Sequence, residues 1–488
     1  MRDLNTATTA PTAQAQDLGE IRKLPILISL IIGAFFSILN ETLLNIALPQ
    51  LETALGVSAS TLQWLATSYM LVIGVLIPAS ALLVQWFTTR QMFLGAMTLF
   101  AIGTLICGIA PNFSVLLIGR VLQASGAGLM LPVLMNTILV LYPPEKRGAA
   151  MGSIGLVIMF APAIGPTLSG LVLQFAEWRW LFFLVLPFAI FSIIFAAIYL
   201  KNVTPITKPK VDVISIVLST LGFGGIVFGF SSAGEGEATW SSPEVAIPLI
   251  VGAISLLLFV IRQIRSDEPL LDMRVFKFPM FAITTILLII AMMTMFSTML
   301  LLPFLMQGVF ILTTFQAGLV LLPGGLLNGL ISPITGRLFD RYGPRALVIP
   351  GTLALVIILW LFTRIDMTTS ALNLIILHVL LMIAIAMIMM PAQTNGLNQL
   401  PPRLYPHGTA VLNTLQQISG AIGVALFISI MSSGQHAFLA GLPGEPTDVQ
   451  KAEALLSGIH TAFLVGFGFA VGAFLLSLFI KRTKAPQE

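Results

Sequence analysis

The sequence predicts an all-α polytopic membrane protein of fourteen helices. Three observations carry that prediction. The chain is 57% hydrophobic and 9% charged, with a mean hydropathy of +0.99. Fourteen apolar runs approach the roughly 20 residues a helix needs to cross the hydrocarbon core. Basic residues gather in alternate connections between those runs. Soluble domains carry roughly 25% charged residues, so a soluble fold is excluded. The net charge of +4 and pI near 9.3 do not point to nucleic acid, because the charges lie between spans and form no binding face.

The span cores are residues 24–48, 61–86, 91–110, 114–141, 149–173, 179–200, 213–232, 245–264, 280–304, 315–336, 346–363, 371–395, 408–432 and 460–480. Span seven is weakened by its glycines, and span ten by Pro323, Gly324 and Gly325. With both termini cytoplasmic, 20 of the 24 Lys and Arg residues fall on the inner side, as the positive-inside rule requires. Arg179, Arg364 and Lys451 lie outside, and Arg120 lies within span four. The polar residues 1–23 read as a cytosolic tail without a cleavable signal, since span one is too long for a signal core. The single cysteine, Cys107, rules out an intramolecular disulfide and a cysteine-cluster metal site, and reads as a small buried apolar residue.

Two charged loops, Lys201 to Asp212 and Arg262 to Lys277, bracket spans seven and eight. The expected plan is a tail over 1–23, a six-helix bundle over 24–200, a two-helix insertion with its loops over 201–277, a second six-helix bundle over 278–480, and a tail over 481–488. A faint repeat supports it. Gly336-Arg337-Leu338-Phe339-Asp340-Arg341-Tyr342-Gly343-Pro344-Arg345 follows span ten where Ser80-Ala81-Leu82-Leu83-Val84-Gln85-Trp86-Phe87-Thr88-Thr89-Arg90 follows span two. Duplicated halves with a substrate site between them are a common transporter design.

Glu41 is the only carboxylate inside a long apolar run. Burying its charge costs at least a few kcal/mol, roughly, so it must be paired, hydrated or protonated. A group held in that way can exchange protons. Glu41 is expected about seven residues, roughly 10 Å, from the outer end of span one, and Arg120 at a similar depth in span four.

Several motifs carry a family resemblance. Gln63-Trp64, Thr67-Ser68-Tyr69 and Pro78 lie in span two. Arg120, Gln123, Gly126, Gly128 and Pro132 lie in span four, followed by Pro144-Glu145-Lys146-Arg147-Gly148. Ala161-Pro162-Ala163-Ile164-Gly165-Pro166-Thr167-Leu168-Ser169-Gly170 lies in span five, and Trp178-Arg179-Trp180 and Pro269-Leu270-Leu271-Asp272 follow. In order and spacing the chain resembles the major facilitator superfamily, specifically its fourteen-helix drug:proton antiporters, from about Ile26 to the last span. The resemblance implies a major facilitator fold in a 6 + 2 + 6 arrangement and proton-coupled efflux of amphiphilic drugs by alternating access. It implies an inner or plasma membrane location, a small-molecule substrate, protons as the coupling ion and a monomer in the lipid bilayer. Two departures stand out. The family's first-helix motif usually has Asp where this chain has Asn40, with Glu41 beside it, about 100° around a helix. The first-half loop has Val84, Gln85 and Phe87 where the family usually has Asp, Arg and Gly, which leaves the charge network to Asp340, Arg341 and Arg345.

In the superfamily the first and fourth helices of each half line the central cavity, which would let Glu41 face Arg120. Arg120 would then lower the proton affinity of Glu41 and desolvation would raise it. A static ion pair is the plain alternative. Asn40 cannot titrate but can hydrogen-bond. Ser37, Glu41 and Asn45 form a drifting polar stripe, in which Asn45 either meets substrate or joins a neighbouring helix. Gln123, one turn after Arg120, is placed to orient it or to contact substrate. Pro162, Gly165, Pro166 and Gly170 read as backbone devices that shape the cavity, with Gly336 and Gly343 in the second loop motif. Met292, Met295, Met299 and Met306 fall within about 60° on span nine and suit a pocket for varied apolar shapes, although such stripes also serve packing. His378 in span twelve could titrate or simply bond structurally. The amides Gln393, Asn395, Asn398, Asn413, Gln416 and Gln417 gather at the inner ends of spans twelve and thirteen.

No phosphate loop of the Gly-x-x-x-x-Gly-Lys-Ser/Thr type is present, and neither a metal site nor a hydrolase is suggested. An enzyme, a cofactor and a metal are not expected. Two other functions fit the same residues: an exporter of a metabolite, osmolyte or lipid, and a membrane sensor or scaffold that binds without transporting.

Overall fold

A computed structural model describes residues 23–483 except 58, 204–205, 207–211, 234–240, 267–268 and 443–445. The expected N-terminal tail therefore lies outside the described residues, as do the side chains of Asn45, Pro162 and Pro166. The described chain forms fourteen long helices: α1 (Lys23–Leu55), α2 (Ala59–Trp86), α3 (Thr89–Gly108), α4 (Phe113–Leu141), α5 (Arg147–Phe175), α6 (Arg179–Tyr199), α7 (Val213–Ala233), α8 (Pro243–Arg265), α9 (Pro279–Gly308), α10 (Thr314–Tyr342), α11 (Arg345–Phe362), α12 (Ala371–Asn398), α13 (Tyr405–Ala440) and α14 (Asp448–Ser477). Thirteen of them contain a described stretch long and apolar enough to cross a membrane, and α5 completes the set. The molecule is a multi-pass membrane protein.

Several helices outrun their apolar cores. α1 continues to Leu55 and α13 to Ala440, because a helix keeps its hydrogen bonds beyond the hydrocarbon while its residues turn polar. Polar caps fix the starts of others. Thr88, Thr313 and Thr447 each accept the backbone N–H of the third helical residue, and Gln91, Gln316 and Gln450 reach back to the cap. This reciprocal arrangement satisfies two donors that the helix itself leaves free. Asn112 likewise accepts from Val115 N at 3.0 Å, and so sets the register of α4.

The faint sequence repeat is a packing repeat. α1 packs on α4, α5 and α6, while α2 and α3 pack on α4, and α3 on α6; α9 packs on α12, α13 and α14, while α10 and α11 pack on α12, and α11 on α14. Short turns at Pro144–Lys146 and Pro402–Leu404 occupy equivalent places after α4 and α12. Between the two sets, α7 and α8 form a hairpin in which Gly225 and Gly252 bring the backbones into contact. α7 also leans on α2 and α13, one helix from each set. At the base of the hairpin, Asp212 accepts from Arg262 Nε at 2.7 Å and Nη2 at 3.0 Å, and from the Ser215 hydroxyl at 2.6 Å. The Arg262 guanidinium holds the Asp212 carboxyl well below the usual carboxylate range.

α5 against α10 is the most extensive seam between the sets, and α2 against α13 is a second. At the end of the bundle where α1 begins, the α5–α10 seam is closed backbone to backbone. A methyl group at Gly148 or at Gly336 would collide with the main chain of the other. Asp340 caps α5, its two oxygens accepting Gly148 N at 2.8 Å and Ala149 N at 2.9 Å. Arg147 donates to Asn398 Oδ1 at 3.0 Å and lies 4.9 Å from the centre of the Tyr405 ring.

Candidate functional site

α3 and α4 cross closely because Gly103 and Gly119 place each backbone against the other. A side chain at either position would hold the helices apart, so the glycines bring Thr104 within reach of Gln123. Gln123 Nε2 donates to Thr104 Oγ1 at 2.8 Å, which fixes the amide with its oxygen toward Arg120. Arg120 Nη1 donates to Gln123 Oε1 at 3.2 Å and to Asn40 Oδ1 at 3.1 Å, while its Nε donates to the Leu65 carbonyl at 3.4 Å. Its guanidinium lies 4.1 Å from the centre of the Tyr69 ring, and the Tyr69 hydroxyl donates to Ser37 O at 3.4 Å. Arg120 is 1% exposed. The cation is thus buried among neutral acceptors and an aromatic face from α1, α2 and α4.

The expected pairing of Arg120 with Glu41 takes a different form. No ion pair joins them within 4 Å among the described residues; the acceptor from α1 is the neighbouring Asn40. The 100° offset of one residue explains the choice. Asn40 is buried toward α4, whereas Glu41 is half-buried. α1 runs fourteen residues past Glu41 to Leu55, roughly 21 Å of helix, but its apolar stretch ends at Leu44, so Glu41 stays near the end of that stretch.

The other candidates separate into groups. Gly165 lies against Thr42 of α1, and Ser169 donates to Leu43 O at 2.7 Å, so this part of the α5 motif docks α5 on the helix that carries Glu41. Gly170 has open space around it. Met292, Met295 and Met306 are buried but Met299 is exposed, so the four do not share one environment. His378 is buried against Gly324, where any side chain would strike the imidazole; it packs α12 on α10 and lies away from the Arg120 cluster. Gly343 ends α10 at φ +80°, a conformation that favours glycine. Arg341 stacks on Tyr342, and Arg345 donates to Ile480 O at 2.7 Å. The second loop motif therefore works through backbone caps: the Asp340 carboxylate accepts from helix amides, while Arg482 donates to the Asp340 backbone carbonyl at 2.7 Å.

Sequence reasoning did not find Leu65 O or Tyr69 as partners of Arg120, nor Thr104 as the partner of Gln123. The small residues of α3 that permit the close approach are visible in the sequence, but their partner helix is not. In place of the missing first-half acid, Val84 and Phe87 line a shallow surface depression with Met92, Val133 and Asn136.

A family model described as Major Facilitator Superfamily matches residues 30–424. Over 480 residues the chain is 53% identical to a protein of Bacillus subtilis (strain 168) named lincomycin resistance protein LmrB, covering 98% of this chain and 99% of that one. It is 29% identical over 406 residues to a multidrug resistance protein B homolog of Mycobacterium tuberculosis (strain CDC 1551 / Oshkosh), covering 82% and 75%. Among solved structures, the human organic anion transporter MFSD10 superimposes with a TM-score of 0.64 at 16% identity, covering 93% of this chain and 99% of that one.

Proposed function

The chain belongs to the major facilitator superfamily, and from that premise we propose that it exports amphiphilic drugs across the cell membrane in exchange for protons, with both termini in the cytoplasm. Relatives named for lincomycin and multidrug resistance support drug efflux as the activity. One observation supports the coupling most directly: Arg120 is a fixed cation, 1% exposed, whose partners are all neutral. A buried charge without a counterion is costly, and the nearest carboxylate along the chain from its Asn40 partner is Glu41.

The two family roles are divided between adjacent residues in this reading. Asn40 holds the guanidinium by hydrogen bonding, and Glu41 takes the proton. A carboxylate locked in a short ion pair would resist protonation. Held apart from Arg120, Glu41 feels the cation without being clamped by it. Deprotonated Glu41 compensates Arg120 while substrate is loaded from the cytoplasm; protonation from outside removes that compensation, and the carrier resets. Gln123, Thr104 and Tyr69 keep the arginine in place throughout.

The test is transport in proteoliposomes. Glu41→Gln is expected to abolish uptake driven by an imposed pH gradient, at normal protein yield, while substrate exchange without a gradient persists. Full gradient-driven transport by Glu41→Gln would remove Glu41 from the coupling role.

A further inference from the structure

A second polar cluster lies at the seam between the helix sets, away from Arg120. Met135 of α4 is 1% exposed. Its sulfur accepts from Asn413 Nδ2 of α13 at 3.2 Å and from Gln393 Nε2 of α12 at 3.6 Å. A thioether is a weak acceptor, and two full amide donors share it. Gln393 Oε1 has no hydrogen-bond partner among the described residues, and neither does Gln416 Nε2, one turn from Asn413. All three amides are buried. Each unpaired buried polar atom costs about 1–3 kcal/mol, and an apolar residue of similar size would avoid that cost. The structure thus keeps a poorly satisfied set of neutral donors and acceptors where the two sets meet.

Met135 lies on one side of the seam, and Gln393, Asn413 and Gln416 lie on the other. Met135 is six residues from the end of α4, Gln393 five from the end of α12, and Asn413 and Gln416 eight and eleven from the start of α13, so the cluster extends from roughly 8 to 17 Å inside the closed end. Separation of the sets at that end takes the weak acceptor away and leaves the amides facing the opening. We propose that Gln393, Asn413 and Gln416 form a recognition site for the uncharged hydroxyl and amide groups of substrate, used when the carrier is open at the end where α1 begins. This deepens the efflux reading and rests on it. No Lys, Arg, Asp or Glu takes part in the hydrogen bonds at Met135, so the site selects by hydrogen bonding and not by charge. The Met135 sulfur holds the amides in the closed state weakly enough for substrate to replace it.

The test is equilibrium binding to the purified full-length protein in detergent, with radiolabelled lincomycin as a polyhydroxylated amide probe and ethidium as a cation lacking hydroxyl groups. Gln393→Met and Asn413→Leu are expected to weaken lincomycin binding on the order of fivefold each, the scale of one hydrogen bond, and to leave ethidium binding within about twofold. Met135→Leu removes the competing acceptor and is expected to strengthen lincomycin binding. A purely structural role would move both probes together in all three variants. Equal loss for both probes, unchanged lincomycin binding in Gln393→Met and Asn413→Leu, or no lincomycin binding by the wild type would overturn the proposal. Failure of proton coupling would appear instead as wild-type protein that binds these probes but shows no gradient-driven flux.

Discussion

The shift of the acid from residue 40 to residue 41 has consequences that single substitutions measure. Asn40→Asp would place a carboxylate where Arg120 Nη1 already has its acceptor at 3.1 Å, creating a buried ion pair. If coupling needs an acid that is not clamped, Asn40→Asp lowers gradient-driven transport by roughly tenfold, and the double variant with Glu41→Gln shows no rescue. Recovery of transport in the double variant would mean that either position serves. Arg120→Lys keeps the charge but loses the planar fork that reaches Asn40, Gln123 and Leu65 O at once, so a loss on the order of tenfold is expected in the same flux assay. Glu41 and Arg120 were legible as candidates because charge at membrane depth is expensive wherever it occurs. Their separation was not legible. It depends on which way adjacent side chains point on α1, and that is decided by α4, whose position follows from the glycine crossing with α3.

Among the helices, the extent of each apolar run gave its existence, while caps and packing gave its ends. The Thr and Gln pairs at Thr88, Thr313 and Thr447 stand plainly in the sequence; the extension of α1 to Leu55 lies beyond its hydrophobic signal. Gly336→Val tests the closest contact between elements. The added side chain collides with Gly148 O, so the variant is expected to hold the α1-start end open, which labelling of a cysteine at Ser332 on a Cys107→Ser background would report as increased reactivity. Unchanged labelling would separate this glycine contact from closure. At the hairpin base the sign of the pH effect is fixed. The folded Asp212 carboxyl titrates below its unfolded value, so its bridge to Arg262 stabilises the fold above the ordinary carboxylate pKa of about 4 and loses that contribution as pH falls below it. Asp212→Asn should therefore lower the melting temperature by the same amount at pH 6 and pH 8 when followed by tryptophan fluorescence.

For the whole molecule, the duplicated plan was legible from the loops and the repeated motif, and most of the packing of α1–α6 recurs in α9–α14, although α13 packs closely on α14 where α5 scarcely touches α6. The asymmetry between the halves was only partly legible. Val84 and Phe87 marked the loss of the first-half motif, but that the surviving copy works by capping a helix of the other half required the contacts of Asp340 with Gly148 and Ala149. That cap has a mechanical corollary. A carrier with an acidic cap on both seams would part evenly, whereas here the α5–α10 line has the acidic cap and the glycine contact, and Val84 leaves the α2 end without the matching acid. Spin labels across α5 and α10 should change separation less during turnover than labels across α2 and α13. If the labels behave so, α5 and α10 serve as the hinge line of the α1-start end, and the edge that parts for cargo is the one where α7 packs on α2 and α13.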